Sequence, residues 1–243
     1  MCFLFCFLSL SAHKFFYNVN TIRPNNYIMI NKPNPITFFI VAGETSGDAH
    51  GASLMRAIKK VKPESRFVGH GGDGMTKEGL EIMYHTDQLG ILGFSEVIVR
   101  LPFMLTAMNR SLHKLKKLRP NRIILIDYPG FNLRLAKKNA EQGAPITYFI
   151  LPQLWAWKEK RIKVFERYID QSLSIFPFEK NWFEARGVVA DFVGHPFSDI
   201  VGPETNKKQF LSKHGLSKSD DILTLLPGSR PVSYTHLTLP TKA

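Results

Sequence analysis

Apolar residues fall into two kinds of stretch along most of this chain: short uninterrupted runs, and longer segments in which they recur every third or fourth position. The two kinds alternate. Thr37 to Ala42, rich in β-branched and aromatic residues, reads as a strand buried on both faces of a parallel sheet. Gly43 stops it, and beyond Glu44-Thr45-Ser46-Gly47-Asp48 the residues Leu54, Met55, Ile58 and Val61 fall on one face of a helix. Arg66 to Gly69 is a second strand running into His70-Gly71-Gly72-Asp73-Gly74, which reads as a second open glycine loop at the same sheet edge. Met75 to Gly79 makes a helical turn and Leu80 to His85 a strand. Ser95 to Leu118 carries a helical stripe through Val97, Ile98, Leu101, Met104, Leu105, Met108, Leu112 and Leu115. Arg122 to Ile126 is the next strand, Leu133 to Gln142 a helix closed by Gly143, and Pro145 to Ile150 a further strand. Strands at Ile169 to Ile175 and Ala190 to Val193 flank a helix opened by Pro177 and running through Arg186. This alternation predicts an α/β fold: a Rossmann-like parallel sheet with helices on both faces.

The ends of the chain depart from that rhythm. Met1 to Ala12 is apolar but has no basic residue ahead of its apolar run and is too short to span a bilayer. A secretory signal is one reading; a functional start near Met29 is the preferred one. Ser198 to Glu204 reads as a linker, Lys207 to His214 as a short helix, and Ile222 to Leu226 as the first strand of a second sheet. The expected organisation is an unstructured or misassigned leader over 1–35 and a Rossmann-like domain over 36–200. A linker and the start of a second domain follow over 201–230, then an unrelated tail over 231–243.

With 243 residues and 44% hydrophobic content the chain buries a substantial core. Its formal charge of +12 favours an anionic partner: nucleic acid, a phosphorylated sugar or an anionic lipid surface. Cys2 and Cys6 both lie at the start, which excludes a disulfide framework or a cysteine metal site in the body.

Candidate chemistry collects where strands end. The turn from Gly43 to Asp48 offers backbone N–H groups and short hydroxyls at the carboxyl end of a strand, where open α/β sheets bind ligands. It also reads as an ordinary βα turn in which Thr45 or Ser46 caps the helix; it lacks the G-x-G-x-x-G spacing of a dinucleotide site. Asp127 follows the Arg122 to Ile126 strand, where partial desolvation raises a carboxyl group towards general-base values; it serves equally as a helix cap. Pro129 and Gly130 are expected to hold the backbone off helical geometry there. Around Pro102 the long helix is apolar nearly all round, with Arg100, Leu101, Phe103, Met104, Leu105 and Arg110 forming an oily, cationic flank. That suits an anionic bilayer, or a core helix with a solvated tail. Trp155 and Trp157 sit among charged residues, and the rings are expected to pack against the sheet, since no nucleic-acid-binding motif accompanies them. His195 stands alone, with no H-E-x-x-H or similar ligand set.

Several blocks stand together in order: Gly43 to Asp48, Gly90 to Val97, Ile126 to Asn132, Trp155-Ala156-Trp157, Phe176 to Lys180, Gly194-His195-Pro196 and Leu226 to Arg230. Over about Thr37 to Arg230 the chain resembles the amino-terminal half of lipid-A-disaccharide synthases. The resemblance implies a two-domain glycosyltransferase of the GT-B type that joins UDP-2,3-diacylglucosamine to 2,3-diacylglucosamine 1-phosphate, without a cofactor or metal. It implies Asp127 as the base; Gly43, Glu44, Thr45, Ser46, Gly47, Asp48 and Asn132 as substrate-binding residues; and Gly228, Ser229 and Arg230 facing the nucleotide diphosphate. It turns the Pro102 flank into a contact with acyl chains or membrane, accounts for the positive charge without nucleic acid, and implies a cytoplasmic protein on the inner face of the inner membrane. The alternatives are a non-catalytic half domain binding the acceptor lipid or the membrane, and another GT-B sugar-nucleotide enzyme whose glycine loop would need a different spacing.

Overall fold

The computed structural model of the chain describes residues 35–90, 94–140, 143–199 and 206–226. They divide into two units at Ile200/Val201. The first unit is built on one parallel sheet of β1 (Thr37–Ala42), β2 (Arg66–Gly71), β3 (Leu80–His85), β4 (Arg122–Ile126), β5 (Ile146–Phe149), β6 (Gln171–Ser174) and β7 (Ala190–Phe192). Its helices are α1 (Thr45–Val61), α2 (Asp73–Lys77), α3 (Thr86–Leu89), α4 (Phe94–Leu118), α5 (Pro129–Asn139), α6 (Ile162–Tyr168) and α7 (Pro177–Glu184).

Strand order is β3-β2-β1-β4-β5-β6-β7. The chain starts mid-sheet, builds outward through β2 and β3, then returns to lay β4 along the other side of β1, with Ala42 opposite Ile126. The order therefore reverses between β1 and β4, the position at which open α/β sheets form a ligand crevice. Strand alternation sends Phe39, Val41, Ile123, Leu125 and Tyr148 into one core and Phe38, Ile40, Ala42, Ile124 and Ile126 into another. Residues of α4 to α7 fill the first core and those of α1 and α2 the second, so a Rossmann-like sheet with helices on both faces is what forms. The central β1 and β4 are accordingly almost wholly apolar, because neither of their faces meets water.

Several elements differ from the expectation. Val61 is exposed, and α1 buries Gly51, Ala52, Met55 and Ile58 instead. The stretch after Gly69 is not an open loop: His70 and Gly71 continue β2, and the Asp48 carboxylate accepts N–H bonds from Gly72 (2.7 Å), Gly74 (2.9 Å) and Met75 (2.9 Å), fixing the amino end of α2. Pro129 does not hold the chain off helical geometry; it is the first residue of α5, where its missing N–H costs nothing. Helix α6 lies just ahead of the expected strand at Ile169, in a stretch for which the sequence predicts no element, its short apolar face of Val164 and Phe165 too brief to show a period. All but residue 35 of the expected leader over 1–35, the last residues (227–230) of the expected second-domain start, and the tail over 231–243 lie outside the described residues.

In the second unit, α8 (Lys207–Lys213) is capped by Asn206, whose side chain accepts the Lys208 N–H at 2.9 Å, and buries Leu211. Residues 221–226 form no strand: Leu223, Leu225 and Leu226 are exposed, because a strand exists only by pairing.

His70 is fully buried among Phe39, Tyr84 and Phe131. The Ser111 hydroxyl donates to Ala107 O (2.7 Å), so it accepts from His70 Nε2 (2.8 Å), which assigns a neutral Nε2–H ring with Nδ1 buried and unpaired. Burial holds its pKa down at about 3 against an ordinary 6.5. The unfolded chain therefore binds a proton that the folded one refuses; this contribution is complete above pH 6.5 and is lost as pH falls towards 3. We expect His70→Phe to flatten the loss of stability between pH 6 and 4 that the native chain shows in urea titrations, a difference on the order of 2 kcal/mol.

Candidate functional site

Both ends of the β1/β4 pair open at the carboxyl edge. After β1 the extended Glu44 stands at the N-cap of α1 without a side-chain bond, and the first helical bond runs from Asp48 N–H to Glu44 O at 2.9 Å. Thr45 and Ser46, weighed as caps, are instead the first exposed residues of the helix, so the amide groups of its opening turn face the crevice. Gly43 and Gly47 are buried. Any side chain at Gly43 would meet the Tyr128 ring, 2.3 Å from an added Cβ, so this glycine is required by close approach. Asp48, expected among the substrate-binding residues, has both carboxylate oxygens engaged by the α2 amides and acts as a clamp between helices.

After β4 the chain makes an abrupt elbow. Asp127 (φ 43°) and Tyr128 (φ 46°) are both left-handed, a conformation that costs on the order of 1–3 kcal/mol per non-glycine residue. Hydrogen bonds offset it. Asn132 Nδ2 donates to Asp127 O (2.7 Å) and Ile126 O (3.2 Å), and the buried Tyr148 hydroxyl donates to Asp127 O at 2.6 Å. Asn132, also expected to touch substrate, is fully buried and holds the elbow. The Tyr128 hydroxyl reaches Leu89 O at 2.9 Å, tying the elbow to the end of α3.

With its carbonyl fixed inward, Asp127 keeps a half-buried carboxyl group at the rim. Its pKa rises from 3.8 to about 6, chiefly by burial and further by the Glu44 charge, against a bond from the Tyr128 N–H that favours the ionised form. Burial and Glu44 also push Tyr128 up to about 12. Farther along the edge, burial and the neighbouring His195 hold His50 below its ordinary value. The site can therefore take a proton near neutrality beside a helix amino end suited to an anion. His50, Tyr128 and Tyr148 were not singled out in the sequence; a mid-strand tyrosine such as Tyr148 reads simply as core. Among the described residues no group of three or more His, Cys, Asp or Glu could hold a metal. A depression of about 450 Å³ lies at the opposite, amino-terminal edge, beside Asn139, Tyr168, Asp170 and Gln171. It is remote from Asp127, and the reversal of strand order favours the carboxyl edge.

On α4, Leu101 and Leu105 are 46% and 56% exposed, while Phe103 and Met104 pack partly against the core. The Arg100 guanidinium donates to Gln88 O (3.2 Å) and Gly90 O (3.3 Å), and Arg110 to the Tyr84 hydroxyl (3.3 Å). No helix among the described residues is long and apolar enough to cross a membrane. Trp155 and Trp157 do not pack against the sheet; both are exposed, because Leu151 and Leu154 fill that place. Gly228, Ser229 and Arg230 lie outside the described residues.

A family model described as lipid-A-disaccharide synthetase matches residues 38–240. Curated relatives include lipid-A-disaccharide synthases of Acidobacterium capsulatum (39% identity, 83% of this chain and 50% of the relative), Syntrophus aciditrophicus (39%, 82% and 52%) and Myxococcus xanthus (37%, 81% and 51%). The chain thus spans about half the length of these relatives. Among solved structures, a protein described as a UDP-N-acetylglucosamine 2-epimerase from Listeria monocytogenes shares the fold at TM-score 0.51 and 11% identity, over 76% of this chain and 52% of that one. S. aureus MnaA, in a co-structure with UDP, does so at TM-score 0.50 and 11% identity, over 74% and 50%.

The raised Asp127 pKa carries a stability signature. Folding favours the protonated acid, so its contribution is intact below pH 3.8 and is lost as pH rises through 6. Asp127→Asn, which also suits a left-handed backbone, is expected to gain about 2 kcal/mol over the native chain between pH 4 and pH 8 in urea unfolding; a pH-independent difference would mean the carboxyl group is not desolvated.

Proposed function

This chain belongs to the lipid-A-disaccharide synthetase family, and from that premise we propose that it carries the acceptor side of a glycosyltransferase of lipid A biosynthesis. The observation that supports this most is Asp127: an acid raised to about 6 on a strained elbow at the β1/β4 crevice, across from the glycine turn at Gly43. In the proposed reaction Asp127 accepts the proton of the 6-hydroxyl of 2,3-diacylglucosamine 1-phosphate. The freed oxygen forms a bond to the anomeric carbon of UDP-2,3-diacylglucosamine as the bond to the UDP oxygen breaks, which inverts that carbon and releases UDP. Gly43 to Gly47 line the acceptor cleft, with the α1 amides and the Thr45 and Ser46 hydroxyls towards the acceptor phosphate. Gly228, Ser229 and Arg230 face the departing diphosphate. Apart from Gly228, Ser229 and Arg230, the donor side is proposed to belong to the part of the relatives that this chain does not span, so transfer is proposed for the whole protein and acceptor binding for this chain.

Leu101 and Leu105, exposed on a helix flanked by arginines and lysines, are proposed to rest on the anionic inner face of the inner membrane, where both lipid substrates lie. Buried hydrocarbon and phosphate attraction then act together.

Asp127→Asn in the whole protein is expected to cut transfer by about a thousandfold, within the range general-base removal commonly costs, without loss of acceptor binding; near-normal turnover would remove Asp127 from the role. Leu101→Asp with Leu105→Asp is expected to weaken sedimentation of this chain with phosphatidylglycerol-containing vesicles about tenfold or more. Unchanged sedimentation would place the membrane contact elsewhere.

A further inference from the structure

The loop between β5 and α6 turns two tryptophans outward, and the chemistry at Asp127 uses neither; the Trp155 indole N–H donates to the buried Glu179 carboxyl group, which helps to fix the loop. The loop is pinned by Leu151 and Leu154, both buried, and wound by bonds from the Ala156 and Trp157 amides to Gln153 O, each 3.1 Å. With its leucines inside, it leaves Trp155 and Trp157 44% and 67% exposed. Large aromatic side chains displayed on a fixed loop mark a surface that meets something. Trp155 and the exposed Phe178 form a T-shaped pair at 5.3 Å; Phe178 stacks on Phe176 at 5.8 Å, and Phe176 meets the His195 ring at 5.3 Å. These rings form a row along the carboxyl edge of the sheet.

Cations accompany the row. Lys158 Nζ lies over the Trp157 ring at 4.7 Å, and Lys160 and Lys163 are exposed. The intervening acid, Glu159, is paired with Arg186 at 2.7 Å. Leu154 belongs to the same core cluster against which Phe103 and Met104 of α4 pack, so the loop and the α4 patch share one face of the sheet.

We propose that this aromatic row is a second contact with an anionic lipid surface, with Trp157 seated at the boundary between headgroups and acyl chains. An indole body with an ammonium group alongside matches that boundary, where hydrocarbon gives way to phosphate. The row suits nucleic acid less: Lys158 occupies one face of Trp157, whereas base stacking needs open ring faces. The inference rests on the membrane reading of Leu101 and Leu105 and extends it to a separate element.

The test uses the described chain with Trp157 as its only tryptophan (Trp155→Phe, Trp182→Phe) and vesicles of phosphatidylethanolamine and phosphatidylglycerol carrying brominated acyl chains. The expected result is a blue shift and quenching of Trp157 emission, and a loss of vesicle partition of about tenfold or more in Trp155→Ala/Trp157→Ala, with far-UV circular dichroism unchanged. Partition without quenching, equal in the double alanine variant, overturns the aromatic row and leaves the α4 patch standing. No partition onto the anionic vesicles overturns the membrane reading beneath both. Quenching by poly(U) that competes with vesicles overturns the proposal in favour of nucleic acid.

Discussion

The carbonyl oxygen of Asp127 receives two hydrogen bonds from inside the protein, and the geometry of the carboxyl edge depends on them. Donation by Asn132 Nδ2 and by the Tyr148 hydroxyl holds the backbone in a left-handed turn that neither Asp127 nor Tyr128 favours. Each bond contributes about 1 kcal/mol net, enough together to balance much of the strain. Both donors come from well-buried positions, one on α5 and one on β5, so the elbow is set by the core and not by the loop itself. Asn132 accepts a cost of its own, since its Oδ1 is buried without a hydrogen-bond partner.

From the elbow the constraint passes to the opposite loop. Tyr128 lays its ring over Gly43 and sends its hydroxyl to Leu89 O, so β1, β4 and the end of α3 are locked through one side chain. A glycine that reads as a phosphate-loop residue is thus required first by an aromatic ring. The two readings are compatible: the ring fixes Gly43, and the backbone so fixed directs the start of α1 at the crevice. Glu44, next in the chain, adds its charge to the burial that already raises Asp127.

The middle of the sheet was legible because β1 and β4 are buried on both faces and therefore written as apolar runs; Thr37–Ala42 and Arg122–Ile126 coincide with the expected strands, as does the edge strand Leu80–His85, which alternates and leaves Glu81 and Ile82 exposed. Strand-end residues Gly43 and Asp127 were legible for the same reason, since the end of an apolar run is sharp. What could not be read were hydrogen bonds between distant parts of the chain. Nothing local announces that Asp48 fastens Gly72, Gly74 and Met75, or that Tyr148 reaches Asp127. The Pro-Gly pair after Tyr128 looked like a helix breaker because proline is ambiguous between ending a helix and starting one. Trp155 and Trp157 were misplaced because aromatic side chains are usually buried, and the rule fails where leucines have already filled the core beneath them.

Asp48 and Asp127 show how one residue type divides into two uses at a single sheet edge. Asp48 faces the amino end of α2, and three backbone N–H groups satisfy its carboxylate; a ligand could reach it only by displacing them. Asp127 has the Tyr128 amide as its helper, a like charge at Glu44 and partial burial, so its ionised form is under-solvated and gains from any proton donor that enters the crevice. The difference lies in what each carboxylate is already bonded to, since both are acids placed just beyond a buried strand. Availability for chemistry at this edge is thus a consequence of leaving one carboxyl group less well served than the fold could arrange, and the elbow that keeps it so is held by bonds to the carbonyl of the same residue.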